Sequence, residues 1–587
     1  MKQRGIVLGL FAIILLQLRS EIRVNLTDYG LPLNARSYTS VFNKALNKAL
    51  ESRTNAEEEI VIDVPKGQYD FHPDKSVVRM LYISNHDQDN PKHVGIALEC
   101  LKNVTIDFND SELTFHGRML PISMTSCQGC KLENLHIDFD NPQIAQVEIV
   151  ENDTINGVIT YRPEEWVKYK IKDGNFIVEG EGWEMIPCAG IAFDNKTKHL
   201  VYRTSDIGVG TRNVKKVGRD MVKAPWDDKR LASGTKVAMR SYARPCPGIF
   251  VGDCKDTYLN NVTIHYAEGM GLIAQMSENI CLKGFNVCLR GAHDPRYFTT
   301  QADATHFSGC RGTIYSDGGL YEGMMDDAIN VHGTYLKVTE IIDSATIVGE
   351  YMHPQTYGFR WGEKGDSVQW IRSNTMDVVG QISVIESIRP WDRPEIQGAK
   401  QFAITFTNNI PKEVDPTSGN FGVENLTWTP SVYFGHNTIR NNRARGALFS
   451  TPRKVVVDSN LFDHTSGCAI LLCGDCNGWF ETGACKDVTI SNNVFRNALT
   501  NMFQFTNAVI SIYPEIPDLQ GQTGYFHDGI VISGNRFETF DNPLLYAKSV
   551  KRLTFRGNTV LRNPDYVPFH WNRSKILLER VGTAKID

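Results

Sequence analysis

A chain of 587 residues, 41% hydrophobic and 22% charged, can bury a large core and has the composition of an ordinary soluble globular protein. Its net charge of −5 and pI near 6.3 exclude the basic excess typical of nucleic-acid binders, so no nucleic-acid partner is expected. The same balance counts mildly against a polyanionic substrate such as pectin, unless a basic cleft is hidden in the total. The chain opens with Lys2 and Arg4, then runs apolar from Ile6 to Leu18. This predicts a signal peptide over residues 1–20, too short for a comfortable membrane span. The mature protein is therefore expected to be exported, periplasmic or secreted, with no membrane association after cleavage; an uncleaved anchor is the alternative. Oligomeric state is left open, a homo-oligomer included.

From residue 21 onward one unit recurs, a short alternating strand followed by an Asn-rich turn. Early copies are Val104-Thr105-Ile106-Asp107-Phe108 and Leu135-His136-Ile137-Asp138-Phe139; later ones are Val488-Thr489-Ile490-Ser491-Asn492-Asn493 and Ile530-Val531-Ile532-Ser533-Gly534-Asn535. Alternation gives each strand one buried face, and Asn or Gly after the strand suits a left-handed corner. A return every 20 to 30 residues predicts an all-β solenoid, a right-handed parallel β-helix. The spacing breaks twice. Cys130 to Cys254 spans 124 residues and Asp327 to Gly446 spans 119, each about a hundred more than one coil. The expected layout is coils over 21–144, an inserted β-barrel-like subdomain over 145–245, catalytic coils over 246–335, a second such insertion over 336–430, and closing coils over 431–587.

Cysteines mark the repeat as well. Cys100, Cys130, Cys254, Cys281, Cys310 and Cys485 each precede a strand, which predicts a stacked, reduced interior column of small hydrophobes. Cys468, Cys473, Cys476 and Cys485 are spaced too irregularly for a zinc site. No metal and no cofactor is expected.

Chemistry concentrates in the coils before the second insertion. Asp303-Ala304-Thr305-His306 and Asp327-Ala328-Ile329-Asn330 lie 24 residues apart, where other copies read Gly271-Leu272-Ile273-Ala274, Gly446-Ala447-Leu448-Phe449 and Gly467-Cys468-Ala469-Ile470. Asp326 adds a second acid. Adjacent coils stack about 4.8 Å apart, so Asp303, Asp326 and Asp327 are expected to form one acidic cluster. Close carboxyls raise one another's proton affinity, so one can stay an acid while another is ionised. Glycoside hydrolysis needs that division. Around these catalytic candidates, Arg296, His306, Glu322, His332, Trp361 and Glu363 are candidate substrate-binding residues, with Trp370 nearby; aromatic rings could stack on a sugar face.

The run Gly323-Met324-Met325-Asp326-Asp327-Ala328-Ile329-Asn330-Val331-His332-Gly333, with Ala302-Asp303-Ala304-Thr305-His306 upstream, resembles glycoside hydrolase family 110. The resemblance covers essentially the whole mature chain. More remotely, the acid pair preceded by another Asp resembles polygalacturonase-type β-helix hydrolases. The family resemblance implies an exo-acting, inverting α-1,3-galactosidase cleaving terminal galactose from blood group B structures, in one subgroup also from linear α-1,3-linked galactose. The residues alone support a carbohydrate-active β-helix. A polysaccharide lyase and a glycan-binding spike or adhesin remain as rival classes. Inverting enzymes usually hold their carboxyls about 6.5–9.5 Å apart, wider than stacked acids near 5 Å, so acid and base stay unassigned, with Glu363 a candidate to reach in from the insertion.

Overall fold

Alternating strands of this kind bury one face only if each coil stacks on the next, and that is how the chain folds. The computed structural model describes residues 22–55 and 57–587; the expected signal peptide, residues 1–20, lies outside them. Strands pair in parallel from coil to coil along three ladders, forming a parallel β-helix. One ladder carries the site. It runs through Leu120–Thr125, Ile249–Gly252, Leu272–Gln275, Thr305–Ser308, Ile329–Thr334, Ala447–Phe449, Ile470–Leu472 and Ile510–Ile512. Ala274, Phe307, Val331, Phe449, Leu472 and Ile512 share a register position and point inward to the core. Period-2 geometry then turns Ile273, His306, Asn330, Leu448 and Leu471 outward.

The Asn or Gly after the strand takes the left-handed corner as expected, at Asn109, Asn492, Gly534 and Gly557, and in the later coils a second Asn adds an inward ladder. In those coils the left-handed residues are His436, Ser459, Asn492, Gly534 and Gly557. The Asn that follows each one is turned inward as a ladder. Asn460 Oδ1 accepts from the Asn437 amide at 2.9 Å, Asn493 Oδ1 from Asn460 at 2.9 Å, and Asn535 Oδ1 from Asn493 at 3.0 Å. Asn558 closes the series.

The cysteine column also shifts. Cys127, Cys254, Cys310 and Cys485 each place Sγ 3.4 Å from a carbonyl of the preceding coil, those of Leu98, Met124, Ala274 and Phe449. Cys127 thus takes the place expected of Cys130. Cys100 is exposed at a left-handed corner, and Cys281 pairs in register with Tyr258 and Tyr315 outside the column. All thirteen thiols are free.

Among the described residues one α-helix, Thr39–Glu51, stands outside the all-β expectation. Its Phe42 packs on Phe71 and Phe108 at ring distances of 5.8 and 6.1 Å, covering apolar surface of the first coils. Between coils, residues 145–240 build a six-stranded antiparallel sheet and a separate three-stranded one, open rather than closed. Six strands from Leu336–Ile341 to Phe421–Asn425 form a closed barrel around Trp370.

Replacing Asn493 by Ala orphans the Asn460 amide and the Val457 carbonyl, each costing about 1–3 kcal/mol when buried. Thermal denaturation is expected to show a clearly larger fall in midpoint for Asn493→Ala than for Asn558→Ala at the half-exposed end. Equal falls would mean that the ladder does not carry stability.

Candidate active site

Strand pairing corrects the repeat alignment by one residue. Leu272 pairs with Thr305, Thr305 with Ile329, and Ile329 with Ala447. Asp303 and Asp327 therefore align with Met270 and Arg445; Gly271 and Gly446 align with Ala304 and Ala328, and Gly467 with Ala444 and Asp326. Three consecutive coils present acid, acid and arginine at one rung position. The consequence is direct: Arg445 forks across Asp327, Nε to Oδ1 at 2.9 Å and Nη2 to Oδ2 at 3.0 Å.

Asp303, Asp326 and Asp327 come together as expected, with carboxyl oxygens within 4.8 Å of one another. Asp303 and Asp326 line a cavity of about 350 Å³. Asp327, 0% exposed, lies behind Arg445. Arg443 Nη1 reaches Asp326 at 3.1 Å and Arg244 Nη2 reaches it at 3.5 Å. Such spacing of oxygens could admit a cation, but these guanidinium groups already supply the countercharge.

Burial opposes charge on Asp326, yet Arg443, Arg445, Arg244 and Arg240 outweigh it and hold its pKa down to about 2. Burial first, then the Asp326 charge, push Asp303 up to about 7. Asp327 is pulled both ways: burial and its two acidic neighbours raise its proton affinity well above the usual range, while Arg445 opposes. A fork on both oxygens needs both as acceptors, so we read Asp327 as the anion of that pair. The cluster then holds one proton near neutrality, and it rests on Asp303 with Asp326 ionised.

The outward face of the ladder completes the floor. His306 and Asn330 line the cavity, and the buried Asn330 Oδ1 has no hydrogen-bond partner. Its walls come from distant segments. Asn85 precedes the coils of the site, Tyr242 and Arg244 follow the first insertion, Gln355 belongs to the second, and Trp479, Glu481, Phe503 and Phe505 come from later coils. Asp475 accepts from the Asn477, Gly478 and Trp479 amides, which fixes the loop carrying Trp479.

Of the candidate binding residues, His306 faces the cavity and His332 stands directly behind it, Nε2 to Nε2 at 2.8 Å. The other four are elsewhere. Arg296 is buried against Asp138 and Asp294, holding the enlarged loop of residues 288–304 that precedes strand Thr305–Ser308. Glu322 binds Arg440 on another ladder. Trp361 is barrel core, its Nε1 donating to the Thr334 carbonyl at 2.8 Å. Glu363, with a half-exposed side chain, pairs with Arg311 rather than reaching the acids; Trp370 is barrel core too. Arg244, Arg443, Arg445, Asn85 and Glu481 were missed. Only Arg445 had a local signal, its place one rung beyond Asp327.

A β-helix whose outward ladder sets clustered carboxyls among arginines at a sugar-sized, aromatic-walled cavity defines a class, the β-helix glycoside hydrolases. Residues 145–237 match the family model described as GLAA-B beta-barrel domain I, and residues 346–417 match GLAA-B beta-barrel domain II. Relatives named alpha-1,3-galactosidase B span nearly the whole chain. That of Parabacteroides distasonis is 56% identical over 97% of this chain and 93% of its own. Those of Bacteroides fragilis strain YCH46 and Phocaeicola vulgatus are each 58% identical over 96% of this chain and 95% of theirs. The chain belongs to the alpha-1,3-galactosidase B family, consistent with its resemblance to glycoside hydrolase family 110.

Two outcomes follow from the charge arrangement. Asp303→Asn is expected to lower turnover about 10²–10⁴-fold with little change in melting temperature; Asp326→Asn and Asp327→Asn should lose turnover and also melt earlier, because Arg443 and Arg445 lose buried partners, each loss about 3–5 kcal/mol. Wild-type turnover in all three would make the cluster structural.

The pH profile carries the second. Asp303 holds the cluster's proton below about pH 7 and loses it above. Whichever carboxyl finally donates, the one-proton state has both an acid and a base. kcat/KM is therefore expected to fall on the alkaline side with a midpoint near 7, and a flat profile to pH 9 would contradict it.

Proposed function

We propose that this protein is an exo-acting, inverting α-1,3-galactosidase that removes terminal galactose from blood group B-type glycans and from linear α-1,3-galactosyl glycans. The single observation that carries the reading is the cavity whose floor holds two carboxyls in unlike surroundings, Asp326 met by Arg443 and Arg244 and Asp303 without an arginine bonded to it. One carboxyl gives its proton to the glycosidic oxygen as the C1–O bond breaks, and an ionised partner takes a proton from the water that attacks C1. Family membership supports galactose as the sugar and α-1,3 as the linkage.

A cavity of about 350 Å³ is at the small end of ligand pockets. Its walls close around it on several sides, which supports an exo-acting enzyme that takes chain ends. Tyr242, Trp479, Phe503 and Phe505 offer ring faces, and Asn330 Oδ1 offers an acceptor for a sugar hydroxyl. The basic and apolar start of the chain supports export to the periplasm or outside the cell.

Inversion rests on the family resemblance, while carboxyls within 4.8 Å lie closer to the spacing usual for retaining pairs. The first-formed anomer decides. Proton NMR of early product from blood group B trisaccharide is expected to show β-galactose; α-galactose would sink the inverting assignment. In the same assay, linear α-1,3-galactobiose should release galactose, whereas α-1,4- and α-1,6-galactosides should not. Loss of activity on chelation, restored by calcium, would favour the lyase reading instead.

A further inference from the structure

His306 and His332 project from neighbouring coils, two residues apart in register, so both stand on the outward face of the ladder. Each is 1% exposed, and their rings meet edge to face at 83°. The hydrogen-bond chain through them is unbroken. Asp303 Oδ2 lies 2.7 Å from His306 Nδ1, His306 Nε2 lies 2.8 Å from His332 Nε2, and His332 Nδ1 lies 2.6 Å from the Gly333 carbonyl. Glu481 Oε1 sits 3.4 Å from His332 Nε2 and accepts from Asn85 Nδ2 at 3.0 Å.

Proton positions follow from what each atom can do. A carbonyl only accepts, so His332 Nδ1 carries a hydrogen. Two nitrogens 2.8 Å apart share one hydrogen, and so do Oδ2 and Nδ1 at the other end. With both rings neutral, His306 holds its hydrogen on Nε2 and accepts the Asp303 hydroxyl on Nδ1. This fits the burial that keeps His306 from taking a second proton. A second state has the same number of protons: the Asp303 proton moves to His306 Nδ1 while the Nε2 proton of His306 moves to His332 Nε2. Asp303 is then a carboxylate and His332 an imidazolium beside Glu481, whose own charge is opposed by burial but held by His332, His306 and Asn85.

We propose that His306 and His332 are positioning residues that relay protons between Asp303 and Glu481, at the cavity wall, and so reset the acid cluster between turnovers. The inference rests on the reading of the three acids as the catalytic unit. An inverting turnover leaves the acid without its proton and the base with an extra one, and Asp303 is nearly sealed from bulk water. To reset the acid, a protonated Glu481 gives its hydrogen to His332 Nε2, His332 Nε2 passes one to His306 Nε2, and His306 Nδ1 returns its hydrogen to Asp303, while the base sheds its extra proton to water in the cavity; only N–H and O–H bonds are made or broken. Other charged groups facing His306 are His86, Arg244 and Asp326; His353 lies near Glu481, His332 and Arg244, and Arg445 near Glu481. His86 donates its Nδ1 hydrogen to the Ser84 carbonyl at 2.9 Å and makes no hydrogen bond to the chain of imidazoles.

The test uses the full chain with His306→Gln, His332→Gln and Glu481→Gln, measured across pH on the α-1,3-galactoside. Gln keeps a hydrogen-bonding side chain but cannot pass a proton, and Glu481→Gln at the cavity wall keeps the size of the side chain if the histidine variants fail to fold. Expected are a fall in kcat of about tenfold or more with KM little changed. The alkaline midpoint of kcat/KM should move down by about one unit in Glu481→Gln, which loses a nearby negative charge. Unchanged kcat and midpoint in folded Glu481→Gln, or a rise in KM alone, would overturn the relay. If Asp303→Asn is inactive while these variants behave as wild type, the relay fails alone; if Asp303→Asn is fully active, the catalytic reading fails with it.

Discussion

Three carboxyl groups within 4.8 Å of one another, almost out of water, cannot all be ionised without nearby positive charge. The surrounding structure is arranged around that constraint. Arg445 comes from the next coil of the same ladder, so the stacking that brings the acids together also brings their counterion. Arg443 stands two residues earlier and is held by Asp206 of the first insertion at 2.7–2.8 Å, which aims its remaining nitrogen at Asp326. Countercharge is thus concentrated on Asp326 and Asp327, and Asp303 is left with burial and a like charge as its main influences. An asymmetric set of arginines turns three chemically identical side chains into distinct roles.

Much of the scaffold was legible because a solenoid writes its geometry as repetition. Strand periodicity and coil spacing located the ladders, both interruptions and the acid triplet. The one-residue error in alignment arose because glycine beside small apolar residues recurs at adjacent positions, as in Gly446-Ala447 and Ala328-Ile329, and only hydrogen-bond register separates them. The inward Asn ladder was not legible for a related reason: Asn492 and Asn493 are neighbours in sequence, and one takes the expected left-handed corner while the other turns inward.

The cavity walls were not legible. Asn85 meets Glu481 across 396 residues, and Arg443 meets Asp206 across 237. Neither pair carries a local pattern, because contacts between an insertion and a distant coil follow from where loops land rather than from period. The opposite error has the same origin. Trp361 and Glu363 were expected at the acids because the second insertion leaves the helix just after them, but a closed barrel needs its own core, and Trp361 is consumed by it. Arg296 and Glu322 similarly serve ion pairs that pin the enlarged loop and a neighbouring ladder.

This division of labour bears on how such a protein can change its substrate without losing its chemistry. The outward face of a parallel sheet is nearly flat and gives reactive groups a fixed spacing but no enclosure. Enclosure comes from loops and insertions, which solenoids accommodate without disturbing coil stacking. Exchanging Tyr242, Gln355 or Trp479 alters the room in the cavity, while the rung of Asp303, Asp327 and Arg445 is set by backbone pairing beneath it. The reverse does not hold. Moving any acid by one residue would turn it to the opposite face of its coil or off the ladder, and the charges of Arg443 and Arg445 would then be buried without their partners.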